Sequence, residues 1–92
     1  MTQPKDLPVT HLPERHRFEI RADDLAAELT YALHGDTLTF VHTGVPSEWE
    51  GQGIGSKLAR AGLDHARANG YKIHSICPFI SSYLKRHPEY QT

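Results

Sequence analysis

The chain changes its hydrophobic repeat at one point, marked by Glu50-Gly51-Gln52-Gly53-Ile54-Gly55-Ser56-Lys57. Before it, Thr37-Leu38-Thr39-Phe40-Val41-His42-Thr43 alternates as a strand does. After it, from Lys57 to Asn69, Leu58, Ala59, Gly62, Leu63 and Ala66 recur at helical spacing. A further strand-like run follows, Tyr71-Lys72-Ile73-His74-Ser75-Ile76-Cys77. Two strands separated by one helix are expected to lie parallel, joined by a right-handed crossover. The loop also has a chemistry of its own. Glycine has no Cβ, so a ligand can approach the backbone closely. The helix behind it supplies unpaired N–H groups and the positive end of a dipole. Strand, glycine loop and helix start together make a seat for a phosphate or pyrophosphate.

The remaining segments read as one small α+β domain. Phe18 and Ile20 share one face of a short strand. Leu25, Ala27, Leu29, Tyr31 and Leu33 alternate with Glu28, Thr30 and His34, a second strand, although Ala26-Ala27-Glu28-Leu29 are also good helix formers. His34-Gly35-Asp36 signals a turn into the third strand. Asn69-Gly70 stops the first helix; Pro78 opens a second, with Ile80, Tyr83, Leu84 and His87 as its buried stripe, and Pro88 ends it. The expected order is β-β-β-α-β-α, an antiparallel meander followed by a parallel crossover strand in a mixed sheet. Pro4, Pro8 and Pro13 lie among polar residues, so residues 1–14 are expected to form a flexible arm and 15–92 a single domain.

Charge and composition narrow the partners. A net charge of −1 and a pI near 6.6 argue against a general nucleic-acid binder. No apolar run approaches the ~20 residues of a membrane span, and the N-terminal residues lack a signal-peptide stretch. Cys77 is the sole cysteine, which excludes an internal disulfide and fits a reducing compartment. The histidines show no spacing that would hold a metal. These features describe a soluble, cytoplasmic protein, a monomer or weak homodimer.

Spacing excludes two familiar phosphate loops. A Walker loop needs Gly-Lys-Ser/Thr, but Lys57 here follows Ser56. The dinucleotide fingerprint is Gly-x-Gly-x-x-Gly, against Gly51-x-Gly53-x-Gly55, and no acidic residue stands near Ser75 to hold a ribose. The segment instead resembles motif A of the GNAT acetyltransferase superfamily, Gln/Arg-x-x-Gly-x-Gly/Ala, as Glu50-x-x-Gly53-x-Gly55. More specifically, the chain is similar to the short YjdJ-type GNAT-like proteins from about Phe18 to Tyr90. Four blocks carry the resemblance: His42-Thr43-x-Val45-Pro46, Gly51-Gln52-Gly53-Ile54-Gly55, Cys77-Pro78-Phe79, and Tyr83-Leu84-Lys85-Arg86-His87-Pro88-Glu89-Tyr90. Glu50 departs from the pattern's arginine or glutamine, and its carboxylate is expected to point to solvent.

The resemblance implies an acetyl-coenzyme A site and transfer of the acetyl group to an amine on a small molecule or protein. Gly51, Gln52, Gly53, Ile54, Gly55 and Ser56 would hold the pyrophosphate. Thr43 and Val45 would line the pantetheine arm between splayed strands, and Cys77 and Phe79 would border the thioester. Lys57, Lys85 and Arg86 are the candidates for the outer phosphates, since mobile cations suit a phosphate near solvent. Three side chains are catalytic candidates. Cys77, at a helix start, is a nucleophile or a thioester contact, against a small buried side chain. His42 is a general base, against a polar strand residue. Tyr83 is a proton donor to the departing thiolate, against a core aromatic. The short length keeps a second reading open, a non-catalytic coenzyme A-binding module that acts through a partner protein. A binder of another phosphorylated ligand is a third.

Overall fold

The computed structural model describes residues 3–90; Met1, Thr2, Gln91 and Thr92, the ends of the expected arm and domain, lie outside the described residues. Four antiparallel neighbours open the sheet: β1 (Thr10–Leu12), β2 (Arg17–Ala22), β3 (Leu25–His34) and β4 (Thr37–Gly44). Helix α1 (Ile54–Ala68) follows the glycine loop and leads to β5 (Lys72–Ser75), which pairs parallel to β4. The sheet runs β1-β2-β3-β4-β5, and α2 (Pro78–Arg86) completes the fold. The meander and its parallel crossover strand are therefore as expected. Residues 25–34 form a strand despite their helix formers, because pairing on both sides buries Ala27, Leu29 and Tyr31 together.

One segment differs from its reading. Residues 3–14 are not a loose arm: they contain β1, and Leu7 and Val9 pack against the core. The prolines flank this short strand rather than interrupt it. His11, opposite Phe18 in the ladder, stacks on that ring at 4.2 Å and is hydrogen-bonded to the Tyr31 hydroxyl at 2.7 Å. Aromatic packing across three strands thus holds an edge strand that its own ladder would hold poorly.

Both helices bury into one cluster on one face of the sheet, with Phe18, Ile20, Leu29, Leu38 and Phe40 from the strands and Leu58, Leu63, Ile80 and Tyr83 from the helices. Gly62 sets how closely α1 approaches: a Cβ there would come within 2.8 Å of Leu29 and Phe40. Beyond α2, the Tyr90 hydroxyl donates to Asp64 on α1 at 2.7 Å, and Arg67 lies 5.1 Å from its ring centre. Burial, then the Asp64 bond, pushes the Tyr90 hydroxyl up to about 12. Among the described residues no helix is long and apolar enough to cross a membrane.

Candidate functional site

The site begins where two strands part. Parallel pairing runs from Thr37 with Lys72 to Phe40 with Ser75, and the Ile76 N–H donates to the Phe40 carbonyl at 3.0 Å. There β5 stops, while β4 continues to Gly44 with only β3 beside it. The last residues of β4 therefore face a gap. A bulge shapes that gap. Phe40 pairs with Tyr31, yet the next pair is His42 with Thr30, so Val41 is an extra residue in β4. The bulge turns Thr43, opposite the buried Leu29, toward the helices. Thr43 Oγ1 then lies 3.4 Å from Cys77 Sγ, across the gap. Cys77 is buried at the N-cap of α2.

The same bulge corrects the reading of His42. Uninterrupted alternation would set it beside Leu38 and Phe40; instead it is exposed on the opposite face, level with Thr30. Its Nε2 and the Cγ of Glu28 both lie within 3.6 Å of where a Cβ on Gly44 would stand, so this glycine makes room for the two side chains. No hydrogen bond joins His42 to Cys77 among the described residues.

The loop's three glycines serve different purposes. Gly51 and Gly53 have φ of +82° and +75°, values that favour glycine, and a Cβ on either would meet nothing within 4 Å. Gly55 instead makes way for Phe79, whose ring would lie 2.8 Å from an added Cβ. Positive φ at Gly51 and Gly53 and close packing at Gly55 each call for glycine, and the space left open at the first two is also free for a ligand. Among the described residues the N–H groups of Gly53, Ile54, Gly55 and Ser56 have no hydrogen-bond partner, and no side chain caps the helix. The Gln52 Oε1 is buried without a partner. Val45, Trp49, Glu50, Gly51, Gly53, Ile54, Gly55, Ser56 and Phe79 line a depression of about 220 Å³ beside these groups. Glu50 is exposed at its rim.

This arrangement fits coenzyme A. Free helix-start amides suit a diphosphate, and the open space at Gly51 and Gly53 is the cradle that side chains would fill. The buried Gln52 Oε1 is not part of the depression's lining.

The cations expected at the outer phosphates are placed otherwise. Lys57 Nζ donates to the carbonyls of Lys5 (2.8 Å) and Leu7, fastening the N-terminal segment to α1. Lys85 lines a separate depression with Ile73, His74 and Tyr90, and Arg86 lies over the Tyr83 ring. Both are near the far end of α2, about 9 Å along its axis from Phe79. Tyr83 is buried, stacked on His87 at 4.1 Å and tilted against Tyr90 at 6.5 Å, which are the contacts of a core aromatic. Trp49 is in the core with an edge on the depression beside the loop. The sequence reading missed Arg60, which lines a further depression with Gly53, Ser56 and Lys57; helical spacing from Ser56 was the available signal for it.

Comparison with known proteins agrees with this geometry. The family described as GCN5-related N-acetyl-transferase matches residues 17–92. Protein NATD1 of Homo sapiens is 34% identical over 83 residues, covering 87% of this chain and 74% of that protein. Protein NATD1 of Xenopus tropicalis is 32% identical over 83 residues, 87% of this chain and 76% of that protein. The solution NMR structure of a GCN5-like protein from Staphylococcus aureus has a TM-score of 0.75 at 33% identity, covering 98% of this chain and 86% of that one.

Proposed function

Because the chain belongs to the GCN5-related N-acetyltransferase family, we propose that it binds acetyl-coenzyme A and transfers the acetyl group to a primary amine. The observation that carries this reading is the run of unpartnered amides from Gly53 to Ser56 beside open space at the end of the strand gap. The four sequence blocks from His42 to Tyr90 are the basis on which we assign it to the YjdJ-type branch of the family.

In this reading the 51–56 loop holds the pyrophosphate, Thr43 and Val45 line the pantetheine arm, and Cys77 and Phe79 border the thioester end. When bound, the cofactor supplies an acetyl thioester with an electrophilic carbonyl. His42, exposed on the face away from the helices, takes the proton of an amine arriving from that side. The Val45 N–H has no partner among the described residues and is our candidate for steadying the oxyanion. Tyr83 or a water would supply the proton for the departing thiolate. In a variant route Cys77 Sγ would form the new S–acetyl bond as the cofactor's thioester bond breaks and its thiolate leaves, and would then pass the acetyl group to the amine; Cys77→Ala with unchanged steady-state transfer removes that variant.

Calorimetric titration with acetyl-coenzyme A, followed by acetyl transfer to a panel of amines and small proteins, tests the proposal. Binding and transfer are expected, and saturating ligand at 100 times Kd should stabilise the fold by about 2.7 kcal/mol. Absence of binding sinks the reading. Binding without transfer to any acceptor favours the non-catalytic module. One feature speaks for that second reading: both α-helices pack on the same face, so among the described residues no α-helix lies on the side where His42 sits to enclose an acceptor.

A further inference from the structure

We infer that the depression formed by Gly53, Ser56, Lys57 and Arg60, about 300 Å³ in volume, is a phosphomonoester subsite whose cation is Arg60, and that it takes the ribose 3′-phosphate of coenzyme A. The inference rests on the coenzyme A reading above and adds the side chain that selects this cofactor over analogues lacking that phosphate.

The cations that line this depression are Lys57 and Arg60. Lys5 and Arg15 also lack a side-chain partner among the described residues, but neither lines it. Lys57 already spends two of its three donors on the carbonyls of Lys5 and Leu7. Arg17 and Arg21 are paired with Glu19 and Glu28, and Lys72 with Asp36. Arg67 and Arg86 lie over tyrosine rings, and Lys85 is in the other depression. Arg60 is exposed and has no ion pair or hydrogen bond among the described residues. Asp64, one turn further along α1 and the acid within its reach by helical spacing, is taken by the Tyr90 hydroxyl.

Placement supplies the second half of the argument. Ser56 and Arg60 are four residues apart, hence neighbours on one face of α1. Gly53 and Ser56 line both this depression and the one beneath the loop, so the two adjoin at residues whose amides are free. A diphosphate seated on those amides has Glu50 on one side and Arg60 on the other. A further dianion on the same ligand is repelled from the first side and drawn to the second. The planar guanidinium can meet two phosphate oxygens at once, and the Ser56 hydroxyl can donate to a third.

Dephospho-coenzyme A lacks only this phosphate, which makes it the probe. Affinities of coenzyme A and dephospho-coenzyme A are measured by calorimetry on the full chain, on Arg60→Ala and on Lys57→Met. The unaltered protein is expected to prefer coenzyme A by about tenfold or more. Arg60→Ala should bind dephospho-coenzyme A as the unaltered protein does and lose the preference. Arg60→Lys should recover part of it. Lys57→Met should lower the melting temperature and weaken the preference less than Arg60→Ala does. A preference that survives in Arg60→Ala, disappears in Lys57→Met, or is absent from the unaltered protein overturns the inference while leaving the cofactor reading intact. Failure to bind either ligand overturns both. Arg60 is solvent-exposed, so its variants should fold, and matched melting temperatures check this.

Discussion

The two ends of α1 are built in opposite ways. At its C-terminal end the chain is tied down. The Asn69 N–H and side-chain amide both donate to the His65 carbonyl, the Gly70 N–H to that of Arg67, and the Tyr71 N–H to that of Ala66. Tyr90 adds a bond to Asp64, and His65 meets His11 edge-on at 4.4 Å. At the N-terminal end the amides from Gly53 to Ser56 are left open, and no side chain caps them. A helix end costs free energy unless something satisfies it. The closed end is satisfied by the protein itself and contributes stability. In our proposal the open end takes the diphosphate of coenzyme A, so changes there should move binding more than folding, except where packing intervenes.

That contrast can be broken in order of expected effect. Gly55→Val tests the packing exception. Its side chain would collide with Phe79, and a loss of about 1–3 kcal/mol is expected in urea unfolding. The double variant with Phe79→Ala should restore a clear part of the loss; no relief would mean that Gly55 is needed for something other than room. Tyr90→Phe tests the closed end. Loss of the bond to Asp64 should cost about 1 kcal/mol and leave coenzyme A affinity unchanged. Here pH gives a second readout. Tyr90 ionises more readily unfolded than folded, so its contribution is complete below pH 10 and is lost as pH rises from 10 toward about 12. The phenylalanine variant should lack that alkaline decline.

The smallest effect belongs to His11, which fastens the edge strand to the same closed end. Burial, then the nearby His65, lowers its pKa below 6.5, with Glu14 opposing. The unfolded chain therefore binds the extra proton first. Stability from this residue is complete above pH 6.5 and falls as pH drops through 6.5 toward the folded value. Melting temperatures at pH 7.5 and 5.5 should differ less in His11→Gln than in the unaltered protein. An equal slope would show that the His11, Tyr31 and His65 contacts do not govern the edge strand's response to acid.

Several of these features were legible in the sequence and others were not, for reasons that differ residue by residue. Strands β2 to β4 and helix α1 follow from period-two and helical repeats, since each buries one face against the same core. The short strand β1 carries no repeat of its own, and its order comes from His11 stacking on Phe18. Val41 looks like any strand residue, yet it is the bulge that sends His42 outward and Thr43 toward Cys77. Gly55 looks like part of a phosphate loop until Phe79 arrives from another helix.

The sequence by itself determined strands β2, β4 and β5 and both helices, and that a helix start would follow a glycine turn. Those are matters of local periodicity and backbone freedom. The tertiary structure alone decided which cation stands free beside that turn. Lys57 and Arg60 lie one turn apart on α1 and are equally good candidates in the linear chain. Carbonyls from Lys5 and Leu7, some fifty residues away, engage the first and leave the second exposed, because a lysine's donors go wherever the fold brings unpaired oxygens.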